Sequence, residues 1–203
     1  MEAPTARITF RETMEGWFSL NEEDSRKGQE KGQRAHTRLT ISPIVTIENL
    51  DQFLFDSKHT GTLESSIRFA PLFGSDEPVG LTGTFNLFAP AGDTGLKLMI
   101  YEFGFKYQEQ EYYFYGQKEV ENDPGLDMWK DTTTLFCKLY KGNNRSAPII
   151  GAGVLRITMP GFLKQLSTMR VTNTQSRSEK LGAYLTFANF FAGQLWDTYV
   201  KRL

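Results

Sequence analysis

The sequence predicts a mainly β protein: an antiparallel β-barrel, lipocalin-like or a bent sandwich, with one long C-terminal helix. Three observations carry this. Strand-sized segments, about eight to ten of them, recur between clusters of turn residues, and helical patterns do not alternate with them. Aromatic residues make up 13% of the chain, and such side chains favour strands and bury large areas. Only residues 176–202 carry apolar positions at helical spacing over a long stretch. A chain of 203 residues is long enough for one domain, 1–203, with its own core.

Taken in order, residues 7–20 read as a strand through Ile8, Phe10, Thr13, Trp17 and Phe18, with Gly16 as a bend or bulge. Residues 21–34 place acids first and bases after, with almost no apolar residue, and are expected to form a solvated, mobile loop. Residues 37–47 form a second strand in which Pro43, lacking an N–H, marks an edge or a bulge. Asn49 can cap a short helix over 50–56 whose apolar face is Leu50, Phe53 and Leu54. Residues 61–70 and 79–88 are strands, separated by a turn at 74–77 and followed by a breaker-rich turn at 89–95. Residues 96–106 and 111–120 form one hairpin, and 135–140 and 149–159 another. Pro160 opens a short helix over 160–166, and 168–172 is one more strand. Ser178 is the expected cap of the final helix. Apolar residues there cover most of the circumference, which predicts burial on several sides.

Composition limits the function. A formal net charge of -1 argues against nucleic acid as a partner. The single cysteine, Cys137, cannot form an intramolecular disulfide and reads as a buried thiol in a strand. No apolar run reaches the roughly 18 residues of a membrane span, and the first residues show no secretory pattern, so a cytoplasmic domain is expected. Asp123, Asp127 and Asp131 flank a Pro-Gly turn, but their spacing is not that of a calcium loop, so no metal is expected. His36 and His59 sit in polar surroundings and read as exposed or partly exposed loop residues. No nucleophile elbow and no phosphate loop occur, and no cofactor is expected.

Two carboxylates, Glu12 and Glu102, lie among apolar neighbours on strands. In a small barrel such a group can point inward and act as acid or base. Aromatic residues concentrate around the hairpin 96–120, where both faces carry rings. An apolar pocket within the barrel would draw on Trp17, Phe85, Tyr101, Phe103, Tyr113, Tyr115, Trp129 and Arg156. The reading is a non-catalytic module that binds a hydrophobic small molecule or docks onto an enzyme. Its alternatives are a barrel cyclase or isomerase using one carboxylate, and a homodimer scaffold formed through residues 178–202.

Several segments together carry a resemblance. They are Phe10-x-Glu-x-Met-x-Gly-x-Phe18, Phe85-Asn-Leu-Phe88, Gly125-Leu-Asp-Met-Trp-Lys-Asp-Thr-Thr-Thr-Leu135, Gly153-Val-Leu-Arg-Ile157 and Phe190-Phe-Ala-Gly-Gln-Leu-Trp196. Over nearly its whole length the chain resembles an accessory domain found beside glucose–methanol–choline oxidoreductase domains of the cholesterol-oxidase type. The flavin fold and the hydrolase region of those larger chains are not in this sequence. The resemblance implies an association with an oxidoreductase or hydrolase acting on lipid- or sterol-like substrates. It supplies no catalytic residue.

Overall fold

The computed structural model describes residues 5–92, 96–120, 132–157 and 167–199, with side chains to residue 195. The strands are β1 (Arg7–Arg11), β2 (Met14–Leu20), β3 (Arg38–Ile41), β4 (Ile44–Ile47), β5 (Thr60–Arg68), β6 (Val79–Pro90), β7 (Lys97–Tyr107), β8 (Gln110–Val120), β9 (Thr134–Tyr140), β10 (Ile149–Arg156) and β11 (Arg170–Thr172). Strands β5-β3-β2-β10-β9-β8-β7-β6 are paired in that order, and β6 pairs back onto β5. Eight antiparallel strands therefore close into a barrel, which removes the exposed edges of an open sheet. Strands β4, β1 and β11 continue the sheet beside β5.

The first two predicted strands are each broken. Residues 7–20 break at Glu12-Thr13, and 37–47 break at Ser42-Pro43. The breaks face each other, because the Glu12 N–H donates to the Pro43 carbonyl at 2.9 Å. The bend is thus at Glu12 rather than at Gly16. Gly16 serves close approach instead: a Cβ there would lie 2.1 Å from the Val154 carbonyl oxygen.

Most of residues 21–34, expected as a loop, belongs to helix α1 (Ser25–Ala35). The Asp24 carboxylate caps it, accepting from the N–H groups of Arg26 (3.0 Å) and Lys27 (2.9 Å). Its interior is rich in Arg, Lys, Gln and Glu, which are good helix formers. The buried face is Ser25, Gly28 and Gly32, so it is defined by small size rather than by apolar character. A Cβ on Gly28 would meet the Ala152 carbonyl oxygen at 2.1 Å, and one on Gly32 the Phe18 nitrogen at 2.6 Å. The helix therefore lies directly against the backbone of β2 and β10.

Helix α2 (Leu50–Phe55) forms as expected, with the Asn49 side chain accepting from Gln52 N–H at 2.9 Å. The β7–β8 hairpin turns on Gln108 and Glu109, both with positive φ (46° and 63°), matching the twist a two-residue hairpin requires. Helix α3 (Ala70–Phe73) covers one end of the barrel, where Phe73 packs on Tyr107 with ring centroids 4.9 Å apart. Helix α4 (Arg177–Tyr199) lies across the other end. Its cap is Ser176, not Ser178: the Ser176 hydroxyl accepts from Glu179 N–H at 3.2 Å, and the Glu179 carboxylate accepts from Gln175 N–H at 2.7 Å. Burial on several sides is not observed. Ala183 and Phe187 are buried, whereas Leu181 and Leu185 are 59% and 55% exposed. The predicted helix at 160–166 and the aspartate-rich loop lie outside the described residues.

Candidate functional site

The interior of the barrel is filled unevenly. Toward α3, Phe18, Phe69, Phe103 and Phe114 are fully buried, with Phe18 and Phe69 edge-on at 5.1 Å and Phe103 and Phe114 tilted at 5.6 Å. Toward α4 the packing opens into a cavity of about 270 Å³. Its walls are mainly apolar: Phe10, Phe85, Leu87, Met99, Ile157 and Met169 from the sheet side, and Phe187, Ala188 and Phe191 from α4.

Local backbone features aim these residues. Strand β6 carries a bulge between Asn86 and Ala89, and Phe88 adopts a positive φ of 55°. The bulge interrupts the alternation, so Leu87 and Phe88 are both buried. Leu87 lines the cavity, and Phe88 meets Phe191 at 5.2 Å. Helix α4 is further seated by Phe187 against Phe10 (6.3 Å) and by Phe190 against His59 (4.7 Å).

A polar cluster faces this apolar space, which Thr132 also lines. Glu12, Tyr101 and Lys118 line the cavity and are each buried. The Tyr101 hydroxyl donates to Glu12 Oε2 at 2.8 Å, and Lys118 Nζ donates to the Tyr101 hydroxyl at 3.0 Å. Lys118 Nζ lies 3.8 Å from Glu12 Oε2. Three elements build the cluster. Glu12 comes from the β1–β2 break, Tyr101 from the inward face of β7, and Lys118 from the inward face of β8. Burial raises the pKa of the Tyr101 phenol well above its ordinary value, and the Glu12 charge adds to the effect. Burial lowers the pKa of Lys118, against the opposing attraction of Glu12. A buried ion pair with imperfect contact is weak evidence for stability, so this cluster is a candidate for function. Chemically, it can direct N–H donors at a ligand oxygen and pass a proton between amine, phenol and carboxylate.

The residues expected from sequence divide between the two faces of the wall. Glu12, Tyr101 and Phe85 reach the cavity. Phe103 is buried in the solid packing below it. Trp17, Glu102, Tyr113 and Tyr115 lie on the outer face, because strand alternation turns them away from Phe18, Tyr101, Phe103 and Phe114. There Trp17 carries the Arg38 guanidinium at 4.9 Å from its centroid, and Tyr115 carries that of Arg145 at 3.9 Å. Burial, together with a hydrogen bond to Glu102, raises the pKa of Tyr113. Arg156 is exposed at the end of β10. Trp129 lies outside the described residues.

Sequence reasoning missed Lys118, Phe10, Leu87, Met99, Met169 and Phe187 as lining residues. A signal for Lys118 existed: Tyr112, Phe114, Gly116, Lys118 and Val120 share one face of β8, so a lysine shares the inward face with core residues. Cys137 is buried as expected; its thiol donates to the Gly153 carbonyl at 3.3 Å, and burial raises its pKa. His36 is exposed and His59 half-buried, both in turns. Among the described residues, no group of three His, Cys, Asp or Glu could hold a metal, and no helix is long and apolar enough to cross a membrane. Comparison of the chain with known protein families, with curated proteins and with solved structures finds no match.

Proposed function

We propose that the protein binds a compact apolar molecule carrying one oxygen-bearing polar group, with the apolar body in the cavity under α4 and the polar group against Lys118 and Tyr101. One observation carries this reading: a mainly apolar cavity of about 270 Å³ whose wall presents a buried Glu-Tyr-Lys cluster. Ligand sites typically combine apolar walls with a few placed polar groups, in volumes of roughly 300–1,000 Å³. The cavity lies just below that range, which favours a single-ring or medium-chain molecule over a full sterol.

Native mass spectrometry with organic extraction of the purified protein tests this first. A co-purifying apolar compound is the expected result. In parallel, a panel of single-ring and medium-chain alcohols and carboxylic acids is screened by thermal unfolding. A ligand at 100 times its Kd adds about 2.7 kcal/mol, a shift of roughly 5–10 °C for a domain of this size. A clean apo mass with no shift across the panel would refute the reading.

A second reading, in which the module docks on a lipid-metabolising oxidoreductase or hydrolase or on a second copy of itself, is favoured by the exposed apolar side chains Phe55, Leu181 and Leu185. Analytical ultracentrifugation of the chain and of Leu181→Lys/Leu185→Lys tests the self-association branch. A monomer in both removes it.

A further inference from the structure

An apolar ligand can be held in a cavity without an amine. Here the lysine is nonetheless deep in the wall: Lys118 is 2% exposed, and it lines the cavity beside a phenol and a carboxylate. Its Nζ lies 3.0 Å from the Tyr101 hydroxyl and 3.8 Å from Glu12 Oε2. The cations on the surface are different. Lys106 pairs with Glu109 at 2.6 Å and Arg38 with Glu15 at 3.2 Å, each exposed to solvent.

We propose that Lys118 captures an apolar aldehyde or ketone in the cavity as a Schiff base, with Tyr101 and Glu12 handling the proton. This rests on the ligand-binding reading above and assigns the ligand's polar group as a carbonyl. Three features support it. An amine must be neutral to attack a carbonyl, and burial favours the neutral form of Lys118. Tyr101 accepts from Lys118 and donates to Glu12, so one continuous path joins the amine to the carboxylate. The remaining cavity wall is mainly apolar, which suits a carbonyl compound with a hydrophobic body and limits hydrolysis by bulk water.

The step balances within the cluster. The ammonium proton first passes through the Tyr101 phenol to Glu12, leaving a neutral amine beside a protonated carboxyl group. The Nζ lone pair then forms a bond to the carbonyl carbon as the C=O π pair moves onto oxygen, and one N–H proton is passed to that oxygen through the Tyr101 hydroxyl, giving a neutral carbinolamine. Glu12, acting through Tyr101, returns the proton to the carbinolamine oxygen. The C–O bond breaks and water leaves, and the product is a protonated imine facing the Glu12 carboxylate. No oxidant, reductant or metal is consumed.

The test is reductive trapping on the full chain. The protein is incubated with cinnamaldehyde and sodium cyanoborohydride at neutral pH, digested and mapped by mass spectrometry. Cinnamyl alcohol, with the same skeleton, is assayed separately by thermal shift. The expected result is a gain equal to the aldehyde mass less one oxygen on Lys118, in preference to exposed lysines such as Lys58 and Lys141. Stabilisation by the alcohol without a Lys118 adduct would overturn the Schiff-base proposal and leave the binding reading standing. Absence of both would overturn both. Because the wild-type chain supplies this readout, the outcome does not depend on whether Lys118→Met folds. Tyr101→Phe tests the proton relay: at saturating cinnamaldehyde it should slow trapping by roughly 10²-fold and shift the pH profile of trapping. An unchanged trapping rate in Tyr101→Phe would remove the relay.

Discussion

Two helices rest on this barrel, and they do so by opposite means. Helix α1 has almost no apolar residue, yet it lies against the backbone of β2 and β10 through Gly28 and Gly32. Helix α4 is rich in Leu and Phe, yet only the face carrying Ala183 and Phe187 is buried, while Leu181 and Leu185 stay in solvent. Contact of α1 depends on the absence of side-chain atoms. Contact of α4 depends on rings reaching over a gap that they leave partly unfilled. Tight backbone packing gives a rigid wall; the α4 side gives a cavity.

The comparison can be broken most directly at Gly28. A Gly28→Val change drives atoms into the Ala152 carbonyl. It should cost more than about 3 kcal/mol, beyond the usual range for an overpacked core, read as a fall in the urea midpoint. The corresponding change on the other helix, Phe187→Ala, removes a buried ring at the cavity edge. A loss of about 2–3 kcal/mol is expected, at or just below the low end for buried Phe because the site is already partly open. A larger apolar ligand should then restore part of the lost stability, which no ligand could do for Gly28→Val. The caps sharpen the contrast further. Asp24→Ala and Ser176→Ala should each cost about 1 kcal/mol, and hydrogen exchange should place the loss in the first turn of the helix concerned. Leu185→Lys, on the exposed face of α4, should stay within about 0.5 kcal/mol of wild type.

The smallest expected effect is a pH dependence where α2 meets α4. The Asp56 carboxylate accepts from Thr60 Oγ1 at 2.6 Å and from the N–H groups of Lys58 and Thr60, which holds its pKa below the ordinary 3.8. That turn presents His59 to Phe190. Because the folded pKa is depressed, its contribution is present above the unfolded value and is lost as pH falls through the folded one. Asp56 is largely solvated, so the contribution is modest. Comparing unfolding midpoints at pH 5 and pH 3 should show a slightly smaller acid-induced drop in Asp56→Asn than in wild type.

Much of the barrel was legible because it follows from local rules. Alternating Phe and Tyr, turn residues between short strands, Asn49 before an apolar turn and Pro43 within a strand each act over a few residues, and the corresponding elements formed. Glu12 was legible as a carboxylate among apolar neighbours. Helix α1 was not, because hydropathy describes what a surface excludes from water. It is silent on glycines spaced so that backbones can touch. The inward-or-outward choice also failed for Tyr113, Tyr115, Trp17 and Glu102. One face of a strand differs from the other by a single residue of register, and a barrel with rings on both faces hides that difference.

The sequence by itself determined the class: a β-rich chain, a long final helix, a buried thiol and an aromatic interior. These are properties of spacing and composition. Only the tertiary structure decided that β6 closes on β5, that Glu12, Tyr101 and Lys118 meet, and that a cavity remains under α4. Residues 12, 101 and 118 are far apart along the chain. Their meeting is fixed by strand register around a closed barrel, a sum of many pairings that no local pattern contains.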